Sequence, residues 1–118
     1  MKKYCLALDL KDDPELIAEY ENWHKKENAW PEITKSITDS GINHMEIYRT
    51  GNRLFMIMET EDHFTFEQKS KMDASNTRVQ EWEQLMWKFQ QPLPWAKEGE
   101  KWIIMNKIFE LHHKKQQP

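Results

Sequence analysis

Glycine is scarce in this chain. There are three in 118 residues, Gly41, Gly51 and Gly99, each next to a turn. A loop that cradles phosphate or a dinucleotide needs several glycines close together, because only they let backbone approach the anion, so that class of site is excluded. Cysteine is scarcer still. Cys5 alone cannot make an internal disulfide, which excludes a disulfide-stapled scaffold and suits a reducing cytoplasm. It falls in a predicted strand, where inert burial is expected. No apolar run is long enough for a signal-peptide core or a membrane span. An excess of positive charge is missing too. The formal net charge is -3 with a pI of ≈ 6.0, and both signs are mixed along the chain, which gives no footprint for nucleic acid or for an anionic membrane.

What is present is aromatic: six Trp, five Phe and three Tyr. A chain of this length makes one domain with one real core, and such a core does not need six tryptophans. Some are expected to line a pocket.

Lys3–Leu10 reads as a first strand, with Leu6, Leu8 and Leu10 on one face. Asp13-Pro14 is a cap followed by a first helical residue, so a helix is predicted through Glu15–Lys26. Trp30-Pro31-Glu32 restarts a helix that ends at Ser40-Gly41. Ile42–Arg49 and Arg53–Thr60, joined by Thr50-Gly51-Asn52, form a β-hairpin. The continuous apolar run Leu54–Met58 suggests a central strand covered on both faces. Glu61–Ser75 is weakly helical. Arg78–Gln90 is a stronger helix whose apolar face carries Val79, Trp82, Leu85, Met86 and Phe89. Trp102–Leu111 reads as the last strand. Residues 1–111 form the domain, and 112–118 form a polar tail expected to be disordered.

This order gives an α+β class and a ferredoxin-like βαββαβ arrangement with extra helical segments: an antiparallel four-stranded sheet with helices on one face. No remaining segment is long enough to cover the other face. A second copy of the chain is the economical cover, so a homodimer packed through its sheets is expected.

The histidines, His24, His44, His63, His112 and His113, lack ligand spacing with cysteines or carboxylates, so no metal site is expected. A thiol nucleophile has no local support. What remains is acid–base chemistry in an aromatic pocket, and one pair of residues fits it. Tyr20 and His24 are four apart on one helical face, among Leu16, Ile17 and Trp23. A phenol beside an imidazole against apolar walls makes a candidate proton-transfer pair. Periodicity alone favours the plainer reading, a core tyrosine and a satisfied, partly buried histidine.

Glu19-Tyr20-x-x-x-His24, Trp30-Pro31-Glu32, Met45-Glu46-Ile47-Tyr48 and Val79-Gln80-Glu81-Trp82 together resemble the L-rhamnose mutarotase family, in order and from about Lys3 to Leu111. The resemblance implies a dimeric α+β barrel and interconversion of the α and β anomers of a 6-deoxy-L-sugar, without metal or cofactor. It places Tyr20 and His24 on the catalytic pair and Trp82 on a sugar-lining tryptophan. Trp30 and Tyr48 join as candidate substrate-binding residues, Trp30 packing on the sugar's C–H face and Tyr48 either donating a hydrogen bond or, equally, packing on the sheet face. Trp23, Trp87, Trp95 and Trp102 are assigned to core or dimer packing. Two departures touch the pocket. The linker Lys25-Lys26-Glu27-Asn28-Ala29 is longer than the family pattern, and Trp82-Glu83 stands where a tandem tryptophan is usual. L-Fucose therefore stands beside L-rhamnose as the expected substrate. Other chemistries on the same fold are a cofactor-free monooxygenase and a non-catalytic sugar-binding module.

Overall fold

Alternation of leucines sets the first strand, β1 (Lys2–Leu10), whose residues Leu6–Leu10 are all buried. The structure, a computed structural model, describes residues 1–111; the polar tail lies outside the described residues. Asp13 then starts helix α1 (Pro14–Trp23), its carboxylate accepting from the backbone N–H groups of Glu15 and Leu16 at 2.9 and 3.1 Å. The helix stops at Trp23, short of the expected Lys26, and His24 is its C-cap. The residues after it, Lys25 to Asn28, are polar and bring no apolar face to bury. They turn instead through a short 3-10 segment, Lys26–Asn28, and the Asn28 amide donates to the Asn22 carbonyl at 2.7 Å.

Pro31 holds Trp30 extended and begins α2 (Pro31–Asp39). Gly41, with φ of 102°, lets the chain leave that helix through a left-handed conformation closed to most side chains. β2 (Ile42–Thr50) and β3 (Arg53–Thr60) form the expected hairpin around Gly51-Asn52. Gly51 carries the turn's positive φ, 57°, as a type II′ turn requires at its first central residue. α3 (Phe66–Ala74) and α4 (Thr77–Trp87) are capped by the side chains of Thr65 and Asn76. Two short strands close the fold, β4 (Gln90–Gln91) and β5 (Ile103–Ile104).

All strand pairs are antiparallel, in the order β2-β3-β1-β4, with β5 also pairing β1. β4 and β5 share the fourth strand position, β4 opposite Asp9 and Leu10 and β5 opposite Leu6 and Ala7. The βαββαβ expectation therefore holds, with helices covering one face of a curled antiparallel sheet.

Further expectations are corrected: α4 ends at Trp87 rather than at Gln90, which instead lies in β4. The last strand spans Ile103–Ile104 rather than Trp102–Leu111, with one further bond from Met105 N–H to the Cys5 carbonyl at 2.7 Å. Beyond it the apolar residues pair with no strand among the described residues; Ile108 is 94% and Phe109 77% exposed. Alternation makes a strand only where a neighbour accepts the backbone and packs the side chains. β3 is also not covered on both faces within one chain. Leu54, Met56, Met58 and Thr60 are buried, whereas Arg53, Phe55, Ile57 and Glu59 on the other face are half-buried.

The core lies between the sheet and the helices. Leu6, Ile42, Met56, Met58 and Phe64 form one cluster; Leu10, Tyr20, Leu54, Met86 and Phe89 form another, and Trp102 packs against both. A charge pair sits on the sheet's other face. Asp9 is buried opposite Arg53, whose guanidinium donates to both carboxylate oxygens at 2.7 and 3.1 Å. Arg53→Met should lower the urea midpoint of unfolding, because it leaves the buried Asp9 carboxylate without its partner. An unchanged midpoint would show that solvent already compensates Asp9.

Candidate active site

The end of α1, the linker to α2, α4 and the inner sheet face enclose a cavity of ≈ 400 Å³. Helical spacing brings Tyr20, Trp23 and His24 to it from α1; α4 contributes Trp82, Glu83 and Met86; β2 contributes Met45 and Ile47. Pro31 fixes the approach of Trp30, so three indoles meet. Ring centroids of Trp30 and Trp82 are 5.1 Å apart, and Trp23 lies 6.5 and 6.4 Å from them. The Arg78 guanidinium caps the cluster, 3.8 Å from the Trp30 ring centre.

His24 packs between this cluster and Tyr20, with ring centroids 4.4 Å from Tyr20 and 5.7 Å from Trp82. Its Nδ1 is 2.8 Å from the Tyr20 backbone carbonyl, one of the carbonyls a helix end leaves without an intrahelical partner. A carbonyl only accepts, so Nδ1 carries the hydrogen and Nε2 keeps its lone pair. The inner side of the ring is packed while its outer edge remains open to solvent. Desolvation on the packed side lowers the His24 pKa below its ordinary value, against an upward pull from the carbonyl. The imidazole is therefore neutral at neutral pH, with Nε2 ready to accept a proton.

Tyr20 is 3% exposed, and burial pushes its phenol up to about 12; the Gln90 hydrogen bond opposes the shift and the Glu83 charge adds to it. The phenol is thus a standing hydrogen-bond donor. Gln90 Nε2 donates to the Tyr20 hydroxyl at 3.3 Å. Two ion pairs also line the cavity, Lys101 with Glu83 and Lys69 with Asp73, the latter at 2.6 Å. Apolar and aromatic walls with a few convergent polar groups are the composition of a small-molecule site. Among the described residues no helix is long and apolar enough to cross a membrane.

The structure brings Tyr20, His24, Trp30 and Trp82 to one cavity and places Tyr48 outside it. Met45 and Ile47 of β2 face the cavity, so the strand's pleat sends Tyr48 to the opposite face, where it is 56% exposed and donates to Glu46 at 2.6 Å. Trp23 and Trp102, assigned to packing, line the cavity as well. Trp23 carried a signal, since it lies three residues after Tyr20 on the same helical face. Gln90 and Lys101 gave none, because only the folded sheet carries them to α1 and α4.

The family model for L-rhamnose mutarotase matches residues 3–111. The chain belongs to the L-rhamnose mutarotase family. It is a mutarotase, an isomerase of sugar anomers. A protein named L-fucose mutarotase from Xanthomonas campestris pv. campestris is 44% identical over 111 residues, covering 94% of this chain and 89% of that one. A UPF0734 protein of Dictyostelium discoideum is 38% identical, covering 98% and 94%. Among solved structures, an L-rhamnose mutarotase from Formosa agariphila superposes with a TM-score of 0.68 at 18% identity, covering 95% of this chain and 100% of its own. The tetracenomycin F2 cyclase of Streptomyces glaucescens superposes at 0.59 with 14% identity, covering 96% and 98%. At such identities these two structures speak for the fold alone, a curled antiparallel sheet with helices on one face.

Proposed function

We propose that this mutarotase interconverts the α and β anomers of L-fucose and L-rhamnose, and that His24 transfers the proton. One observation carries the mechanism: Nδ1 is tied to the Tyr20 carbonyl, which leaves a neutral imidazole whose Nε2 has no hydrogen-bond partner among the described residues. Nε2 takes the proton from the anomeric hydroxyl. The electron pair of that O–H bond becomes the carbonyl π bond as the bond from C1 to the ring oxygen breaks. The ring oxygen receives the proton from His24. Rotation about the C1–C2 bond presents the other carbonyl face, and the reverse steps close the second anomer. Both oxygens are bonded to C1, so one imidazole reaches each in turn. Tyr20 donates a hydrogen bond to the oxygen that carries developing charge. Trp82 and Trp30 pack on the sugar's C–H face and methyl group.

The 44% relative supports L-fucose, and the family description supports L-rhamnose. Polarimetry of freshly dissolved α-anomers tests the reading. Enzyme should hasten the drift to equilibrium rotation for at least one of the two sugars. Drift at the buffer rate for both, with sugar still bound, would favour a binding module instead.

We also infer a homodimer. The outer sheet face leaves Phe55, Ile57 and Ile103 half-buried, and Tyr48 and Met105 are exposed large side chains at or beside it. A second sheet covers such a face most economically. Light scattering at micromolar concentration should give twice the 14.4 kDa chain mass; a monomer mass would refute the dimer. The unpaired Cys5 supports a reducing, cytoplasmic setting.

A further inference from the structure

Gln90 is a buried polar residue that the proton transfer does not use. It is 4% exposed, lines the cavity, and comes from β4, seventy residues along the chain from Tyr20. Its position is rigidly set. β4 pairs with β1 through Gln90 opposite Leu10, and Phe89 before it is fully packed in the core. Nε2 donates to the Tyr20 hydroxyl, while Oε1 is buried with no hydrogen-bond partner among the described residues. Stability alone does not favour this arrangement. A methionine or leucine would fill the same space and leave no bare acceptor. An amide kept at such a position points to a task at the hydroxyl it touches.

The task follows from the geometry of a phenol. Its O–H hydrogen prefers the plane of the ring, which leaves two orientations. An N–H donated to the oxygen occupies one of them, so the phenol's own hydrogen takes the other. We propose that Gln90 is a positioning residue of this site, locking the Tyr20 hydrogen toward the cavity, where a sugar oxygen accepts it. The proposal rests on the mutarotase reading and deepens it. The phenol stays protonated throughout the physiological range, so its hydrogen always needs a direction. Gln90 supplies that direction before the sugar arrives, as preorganisation of a donor requires.

Two substitutions separate positioning from packing. Gln90→Met keeps the volume and removes the donor. Gln90→Glu keeps the shape and replaces the donor with an acceptor, which draws the phenol hydrogen away from the cavity. Anomer exchange should fall about 3-fold in Gln90→Met and about 10-fold or more in Gln90→Glu, chiefly in kcat rather than KM. Each is then made in a Tyr20→Phe background, with melting temperature checked for every variant. With no phenol hydrogen to direct, neither Gln90 substitution should lower the rate further. If one Gln90 variant fails to fold, the cycle with the other decides.

Additive losses from Gln90 and Tyr20, or Gln90→Glu as active as wild type, would overturn the proposal and leave the mutarotase reading standing. Wild type that leaves both sugars exchanging at the buffer rate would overturn the reading and this proposal with it.

Discussion

His24→Ala is expected to lower enzyme-dependent anomer exchange by about 10²–10⁴-fold, the usual worth of a positioned proton-transfer group. The fold should survive. The ring lies at the open edge of the cavity, and its bond to the Tyr20 carbonyl is worth about 1 kcal/mol, so melting should shift by only a few degrees. The pH dependence has a definite sign. Burial lowers the His24 pKa below 6.5, so the neutral base predominates above that value and is lost as pH falls through the lowered pKa. Wild-type activity should hold across neutral pH and decline on the acid side, below pH 6.5. The variant's residual rate should lack that decline. Unchanged exchange in His24→Ala would remove His24 from the chemistry. A limb rising toward low pH would mean that the imidazolium is the working form.

Trp82→Ala is expected to weaken catalysis by about 10²-fold. Trp82 touches Trp23, Trp30 and His24, so its loss both strips the sugar's apolar support and frees the imidazole to drift. A displacement near 1 Å at a reacting group can account for such a loss. Trp82→Phe should recover most of it by keeping a ring beside His24. Sugar affinity, followed by quenching of the remaining tryptophans, should drop along with the rate. Full activity in Trp82→Ala, with the fold intact, would place the sugar away from this wall.

The contrast between legible and hidden features follows from how local each signal is. Asp13-Pro14, Gly41 and Gly51 act on their own neighbours, so α1, the exit from α2 and the hairpin were readable from the chain. Tyr20, Trp23 and His24 share a face through helical spacing alone, and the cavity's first wall was readable for the same reason. Trp23 was still assigned to packing, because an indole on a buried face looks the same whether it meets core or pocket. Pleat parity puts Tyr48 on the face away from the cavity: the alternation in β2 is legible, but which side holds the cavity depends on helices that pack later in the chain. Leu54–Met58 suggested two covered faces, and one chain covers only one of them. Trp102–Leu111 is rich in apolar and β-branched residues like a strand, yet β1 offers it a partner only near Ile103 and Ile104. Gln90 was invisible because its meaning arises from β4 pairing with β1, which sets an amide against a phenol seventy residues away.

The most direct test is saturation-transfer NMR between the H1 resonances of the two anomers of L-fucose and of L-rhamnose, with wild type and His24→Ala side by side at neutral pH. Transfer should rise with wild-type concentration for at least one sugar and stay near the buffer value with the variant. Equal transfer with wild type, variant and buffer alone would contradict proton transfer by His24 on these sugars.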